Sequence, residues 1–376
     1  MPRKNEIRKV VYIFLIYKIL IISIAYAAYL IPEEFTNRKH SDTTLLDPFA
    51  QLDARAYLDI AKNGYNAEFN GTTNYGWYPL YPLLIRMFSF IGFELAAFLL
   101  ANIFSFIAVY LLYVIVKDEF DKHTANKSIF YLLFFPTAFF LTMMYTESLF
   151  LSLTLAMFLL ARREKWHYVG LLGFMASLTR AQGIILLLPM AYIYAKKRRF
   201  KISNIDKNIL FLLLIVAGLL TLYGYYYITT GDPFIHHKTS YLKYQRGFSM
   251  PWESFLNTFN EISRSTSYSE IFVDGLNMFI FATVLGLGYV SLKYLKKEYS
   301  IYIFASIVFP LFSGSLASMT RFVLLVFPVF MTLAIMSKNK SNRRIINMVY
   351  VVSIALLVMS TIYYANEEIS PEIFSF

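Results

Sequence analysis

Eleven runs of apolar residues, each nearly free of charge, leave this chain few folds to choose from. They cover residues 10–31, 94–116, 128–144, 148–161, 168–180, 183–195, 208–228, 271–292, 300–315, 322–336 and 345–364. A bilayer offers no partner to a bare backbone amide, so runs of this kind enter it as helices, which satisfy their own N–H and C=O groups. Of the 376 residues, 57% are hydrophobic and 16% charged, whereas an ordinary soluble domain carries about 25% charge. The expected class is an all-α, polytopic transmembrane helical protein with about eleven spans. Several runs fall short of the roughly twenty residues that a straight span needs. Of these, 168–180 and 183–195 read as broken helices or one re-entrant pair facing a cavity.

Lys and Arg in short loops are retained in the cytoplasm, so their placement sets the expected orientation. The N-terminal tail (Arg3, Lys4, Arg8, Lys9), the clusters Arg162, Arg163, Lys165 and Lys196, Lys197, Arg198, Arg199, and the segment Lys338 to Arg344 fall on one side if the spans alternate. The other side is net acidic, with Glu33, Glu34, Asp42, Asp47, Asp59, Glu68, Glu367 and Glu368. The N-terminus is therefore expected inside, and the C-terminus and the loops at 32–93 and 229–270 outside. The net charge of +11 sits in juxtamembrane clusters, which topology and anionic lipid explain without nucleic acid. The chain has no cysteine, which excludes disulfides, thiol catalysis and Cys-based metal sites. Ala25 to Ala27 offer a small-residue cleavage pattern after a basic start. The apolar run continues to Ile31 and Lys18 interrupts it, so an uncleaved anchor is the better reading.

The hydrophilic stretches are too short for a separate soluble domain, so residues 1–376 read as one membrane domain decorated by two outer loops. In the first loop, Asp47 and Pro48 suggest a helix start and Gly64 a stop. On that helix Gln51, Arg55, Asp59 and Lys62 share one face, while Phe49, Ala56, Tyr57 and Ile60 line the other. Asp53 falls with the apolar group. A carboxylate there is expected to be partly desolvated and its pKa raised, as a general base requires. Downstream, Gly76, Trp77, Tyr78, Pro79, Leu80, Tyr81 and Pro82 form a rigid aromatic run suited to the water and lipid boundary. The second loop carries Gly231, Asp232, Pro233, then His236, His237, Lys238, Tyr241, Lys243, Tyr244, Gln245, Arg246 and Trp252.

Ionisable groups within apolar segments cost several kcal/mol unless paired or facing water, so each is a candidate for function. Besides Asp53 they include Glu147, at the junction of two runs, which is placed to bind a sugar hydroxyl or to complement a helix dipole. Arg180, in Thr179 to Gly183 with Gln182, and Arg321, in Ser318 to Arg321, suit bidentate phosphate contact. The alternative for each is a structural ion pair, for example Arg180 with Glu147, or snorkelling to the interface. His236 and His237 are adjacent and cannot both ligate a metal from one helix face, and no spaced motif supports zinc. Asp53, Asp232 and Glu147 could serve a divalent ion, but no metal or cofactor is expected.

Six segments now carry a resemblance: LDARAYLDIAKNGY (Leu52 to Tyr65), WYPLYP (Trp77 to Pro82), FPTAFFLTMMYTESLF (Phe135 to Phe150), TRAQG (Thr179 to Gly183), GDPF (Gly231 to Phe234) and SMTRFVLLVFP (Ser318 to Pro328). In order and spacing the chain resembles the GPI mannosyltransferase 2 (PIG-V type) family in its shorter prokaryotic form, from about residue 45 to 335. The resemblance implies a GT-C glycosyltransferase, a polytopic enzyme that takes a sugar from a polyprenyl-phosphate donor outside the cytoplasm. It places the first-loop aspartate of the pattern at Asp53, the F-P-L-Y-P element at Tyr78 to Pro82, and the Tyr-x-Glu-Ser element at Tyr145, Glu147 and Ser148. Leu52 stands where a tryptophan commonly precedes the aspartate, and Thr320 where a proline often precedes the arginine.

Together these readings give an inverting mannosyl or hexosyl transferase with Asp53 as the base. Tyr57, Tyr78, Tyr81, Glu147, Arg180, Gln182, Asp232, Gln245 and Arg321 would bind substrate. Its partners would be a polyprenyl-phosphate-linked sugar and a glycolipid, glycan or protein acceptor, at a prokaryotic plasma membrane, or at the ER membrane if the chain is eukaryotic. The alternative is a lipid or sugar transporter or flippase, which predicts inverted repeats and a polar path, neither visible in the sequence. A non-catalytic assembly subunit would leave Asp53 without a purpose.

Overall fold

The computed structural model describes residues 3–30, 45–66, 73–244, 247–266 and 268–365. Among them the regular elements are all helical. In chain order they are α1 (Lys4–Tyr29), α2 (Asp53–Asn63), α3 (Leu80–Met87), α4 (Phe93–Glu119), α5 (Lys122–Leu133), α6 (Glu147–Arg162), α7 (Trp166–Ser177) and α8 (Leu187–Lys197). These are followed by α9 (Leu213–Thr230), α10 (Ile235–Tyr244), α11 (Pro251–Arg264), α12 (Tyr268–Tyr294), α13 (Lys297–Val308), α14 (Met319–Leu324), α15 (Phe327–Met336) and α16 (Lys340–Ala365). Short 3-10 turns join several of them.

Five helices are long and apolar enough to cross a membrane: Lys4–Tyr29, Phe93–Glu119, Lys207–Thr230, Ile271–Tyr294 and Lys340–Ala365. They make this an integral membrane protein. The other six apolar runs are not continuous spans. They form shorter helices, from the 6 residues of α14 to the 16 of α6, because local chemistry interrupts them. α5 ends just before Pro136, and Pro310 sits in the 3-10 turn that follows α13, as expected of a residue that cannot donate a helical hydrogen bond. The doubtful pair becomes α7 and α8, separated by an extended Arg180 and a 3-10 turn over Ala181–Leu186. Gly183 allows that turn to close on α7: a Cβ there would lie 2.4 Å from the Ser177 amide nitrogen.

Neighbouring helices build the bundle, with α4 packed on α5 and α6, α7 on α6 and α9, and α1 on α16. Ion pairs label one end of it. Lys117 meets Glu6 at 2.6 Å, Glu119 takes both Arg162 and Lys296, Lys196 reaches Glu298, Lys197 reaches Glu164, and Lys338 meets Asp121 at 2.7 Å. The basic clusters singled out in the sequence therefore gather at one end. The loop bearing α2 and α3, the start of α6, the α7 to α8 turn and α14 gather at the other.

At this second end the structure corrects the helix read from Asp47 to Asn63. It is two pieces, a 3-10 turn over Asp47–Phe49 and then α2. The break follows from competition for the backbone. The Phe49 carbonyl accepts the Met144 amide and the Gln51 carbonyl accepts the Tyr145 hydroxyl, each at 3.0 Å. Leu52 turns the chain at φ 53°, a strained value for a residue with a Cβ. Asp53 thus opens α2 and does not sit in mid-helix. Phe49, Ala56, Tyr57 and Ile60 are buried as expected, together with Ala54, Leu58 and Ala61, and Arg55 and Lys62 are exposed, while Gln51, expected on the polar face, is buried.

Candidate active site

Four charged side chains from four separate elements meet at this end. Arg321 is the hub: its Nη1 donates to Asp53 Oδ2 at 2.7 Å and its Nε donates to Glu147 Oε1. On the far side of Glu147, Arg180 Nη1 donates to the same Oε1 at 2.8 Å and to Thr146 Oγ1 at 2.8 Å. Two carboxylates and two guanidiniums balance in charge. The alternation of signs offsets a desolvation cost that neither charge could bear alone.

Local folding aims each group. Asp53 and Glu147 are the first residues of α2 and α6, where the helix dipole favours a negative charge. Arg321 lies in α14, entered through the left-handed Ser318. Its guanidinium is flanked by the Phe140 and Tyr145 rings at 4.7 and 4.9 Å, contacts that favour a partly desolvated cation. The extended Arg180 opens the 3-10 turn after α7, and the Leu178 carbonyl two residues before it accepts the Leu80 amide at 3.0 Å. That bond ties the WYPLYP segment to the TRAQG segment.

Exposure separates the two carboxylates. The Asp53 side chain is 20% exposed, whereas that of Glu147 is 0% exposed. Asp53 is therefore partly open to solvent, while Glu147 is a buried counter-ion to both guanidiniums. The Arg180 to Glu147 ion pair, foreseen as the alternative to phosphate contact, is present. It does not saturate the donors, because a guanidinium has five N–H groups and each arginine spends only part of its set on these partners.

The other expected site residues divide. Tyr57 is buried beside the cluster, 3.4 Å from Thr146 Oγ1 through its hydroxyl. Gln182 accepts from Arg180 Nε at 3.3 Å. Tyr81 packs edge-on against Tyr57, but its hydroxyl donates to the Ala97 carbonyl at 2.7 Å. Tyr78 packs edge-on against His236, whose Nδ1 lies 3.2 Å from the Tyr75 carbonyl, so the two outer loops meet there. Asp232 stands apart from the four charges. It pairs with Lys238 at 2.5 Å and accepts the Phe234 amide at 2.9 Å, and these bonds hold its carboxyl below the usual carboxylate range. Gln245 lies outside the described residues.

Three contributors escaped the sequence reading as site residues: Thr146, Phe140 and Asn277. Thr146 adjoins Glu147 in sequence and Phe140 lies in the same segment, Phe135 to Phe150, which was the available signal, and Tyr145 stands in the Tyr-x-Glu-Ser element. Asn277 is an amide inside an apolar run, fully buried, and its Oδ1 accepts the Thr320 amide at 3.4 Å. A proline at position 320 could not make that bond, so the departure at Thr320 has a partner in Asn277.

No family model and no curated protein sequence matches the chain. Among solved structures, it is similar to ArnT from Cupriavidus metallidurans bound to undecaprenyl phosphate, at 12% identity and TM-score 0.49 over 93% of this chain and 75% of that one. It is also similar to the Archaeoglobus fulgidus oligosaccharyltransferase in its apo form, at 12% identity and TM-score 0.45 over 94% of this chain. This chain spans 56% of the length of that oligosaccharyltransferase. Likeness of this strength assigns no activity, substrate or partner.

Proposed function

We propose that the chain is an inverting GT-C glycosyltransferase. It moves a mannosyl residue from a polyprenyl-phosphate donor to an acceptor hydroxyl on the non-cytoplasmic side of a prokaryotic plasma membrane. The observation that carries this reading is the accessible Asp53 carboxylate held against Arg321, with Glu147 and Arg180 buried behind it. The motif resemblance supplies the sugar and the lipid carrier, and the gathering of the basic clusters at the opposite end supports a cytoplasmic N-terminus.

In the proposed reaction Asp53 accepts the proton of the acceptor hydroxyl while that oxygen attacks the anomeric carbon. The bond from this carbon to the phosphate oxygen breaks, and polyprenyl phosphate leaves with the bonding pair. Charge follows the atoms. The phosphodiester carries one negative charge and the departing phosphomonoester two, while protonation of Asp53 turns a neutral cluster into one with a net positive charge. Arg321, released from its ionised partner, is then free to face the phosphate, which places electrostatic stabilisation where negative charge develops.

The test is transfer of radiolabelled mannose from polyprenyl-phosphate mannose in proteoliposomes, with candidate acceptor lipids or peptides, for wild type and Asp53→Asn. General-base help is worth roughly 10²- to 10⁴-fold, so the variant should lose transfer by that factor while remaining folded. Equal transfer by both proteins would remove Asp53 as the base. Flipping of the lipid without transfer would establish the transporter instead.

A further inference from the structure

Helix α11 buries two hydroxyl side chains and exposes three large apolar ones. Its inner face mixes the apolar Phe255 with polar groups: the buried Ser254 donates to the Leu311 carbonyl at 2.6 Å and the buried Thr258 accepts the Leu316 amide at 3.4 Å, while the exposed Asn257 Nδ2 beside them donates to the Gly314 carbonyl at 3.0 Å. Its exposed surface has a polar side, with Asn257, Asn260 and Arg264, and an apolar side. Trp252, Leu256 and Phe259, spaced four and three residues apart on one helical stripe, are each more than half exposed. Phe248, just before the helix, is 84% exposed and stacks on Phe312.

The stripe continues onto a surface that faces lipid by its own composition. α11 packs against α12 through Phe255 and Phe281, with ring centroids 4.9 Å apart. Residues Ile271–Tyr294 of α12 are long and apolar enough to cross a membrane, and their outer face presents the exposed Phe272 and Phe279. Three large exposed apolar side chains beside an exposed polar side, with a tryptophan in the first turn, fit an interfacial helix with its apolar face among the lipid chains.

We propose that α11 is a membrane-docking helix whose Trp252, Leu256 and Phe259 insert into the bilayer at the interface on the Asp53 side. Its occupant is bilayer lipid. Through Ser254, Asn257 and Thr258 the docked helix grips the strap 311–316, which runs straight into the segment bearing Arg321, so lipid contact anchors the approach to the charged cluster. The inference rests on membrane embedding and not on the transfer chemistry.

Tryptophan fluorescence tests it without reference to activity. The chain has three tryptophans: Trp77 and Trp166 are buried and Trp252 is 59% exposed, so the difference between wild type and Trp252→Phe isolates Trp252. In phosphatidylcholine vesicles this difference spectrum should be blue-shifted, resist acrylamide and lose most of its intensity when the acyl chains are brominated. The Leu256→Ser, Phe259→Ser double variant, checked for unchanged thermal unfolding, should move Trp252 emission to the red and reduce quenching by brominated lipid. A difference spectrum quenched by acrylamide but untouched by brominated lipid would put the stripe in water and overturn the proposal. Protection from both quenchers would place a protein partner or a second copy there and overturn it equally.

Discussion

At the basic end of the bundle, Asp121 and Lys338 meet at 2.7 Å with 42% and 48% of their side chains exposed. At the other end, Glu147 is wholly buried between Arg180 and Arg321, whose side chains are 10% and 13% exposed. The same residue types thus do different work. Water screens the first pair and can replace either partner, so it contributes little to stability. The second group has no water to fall back on, and losing one member leaves the others buried and uncompensated. Within that group Asp53 is the exception, because its side chain is the most exposed of the four, at 20%.

The largest expected effect tests that exception. Asp53→Asn should abolish nearly all transfer while leaving thermal unfolding in detergent close to wild type. Unfolding at a much lower temperature would instead make Asp53 a structural counter-ion like Glu147.

Glu147→Gln should do the reverse, costing roughly 3–5 kcal/mol of stability as expected when one member of a buried ion pair is removed. Wild-type unfolding in this variant would erase the contrast between the two ends. Arg321→Lys sharpens the same comparison. A single ammonium cannot reproduce the fork in which Nη1 serves Asp53 and Nε serves Glu147, so transfer should fall by about 10²- to 10³-fold, the usual cost of losing one donor to a developing anion.

The basic end should yield the smallest changes. Asp121 caps α5, accepting the His123 and Thr124 amides at 2.8 Å, so Asp121→Ala should cost about 1 kcal/mol in a thermal melt. Burial alone would raise its carboxyl, but the bonds from Lys338 and Thr124 outweigh this and hold it well below the usual range. A lowered folded-state value means that its stabilisation is present above about pH 4, the ordinary aspartate value, and is lost as the pH falls further. The wild-type excess over Asp121→Ala should shrink on acidification and stay constant between pH 6 and 8. Lys338→Ala should cost under about 1 kcal/mol, less still at high salt.

Much of this was legible residue by residue. Asp53, Glu147, Arg180 and Arg321 each stood out as a charge in apolar surroundings, and the fold brings these four together. The helix break at Leu52 was not legible. Nothing local forbids a continuous helix there, and the break depends on Met144 and Tyr145 taking carbonyls from another part of the chain. Tyr81 read as a ligand-facing phenol, but its hydroxyl is spent on α4. The burial of Ser254 and Thr258 on α11 was hidden because both look solvent-facing until Leu311 and Leu316 are placed against them.

The sequence by itself determined that the chain is helical and membrane-embedded, since apolarity along a run is local and leaves the backbone no partner but itself. Only the tertiary structure decided which charges pair, how far each is buried and where the short helices stop. Arg321 and Asp53 are 268 positions apart, and two such groups meet only when packing has fixed the helices that carry them. Because the worth of an ion pair depends on the water around it, the difference between an accessible Asp53 and a sealed Glu147 exists only in the folded protein.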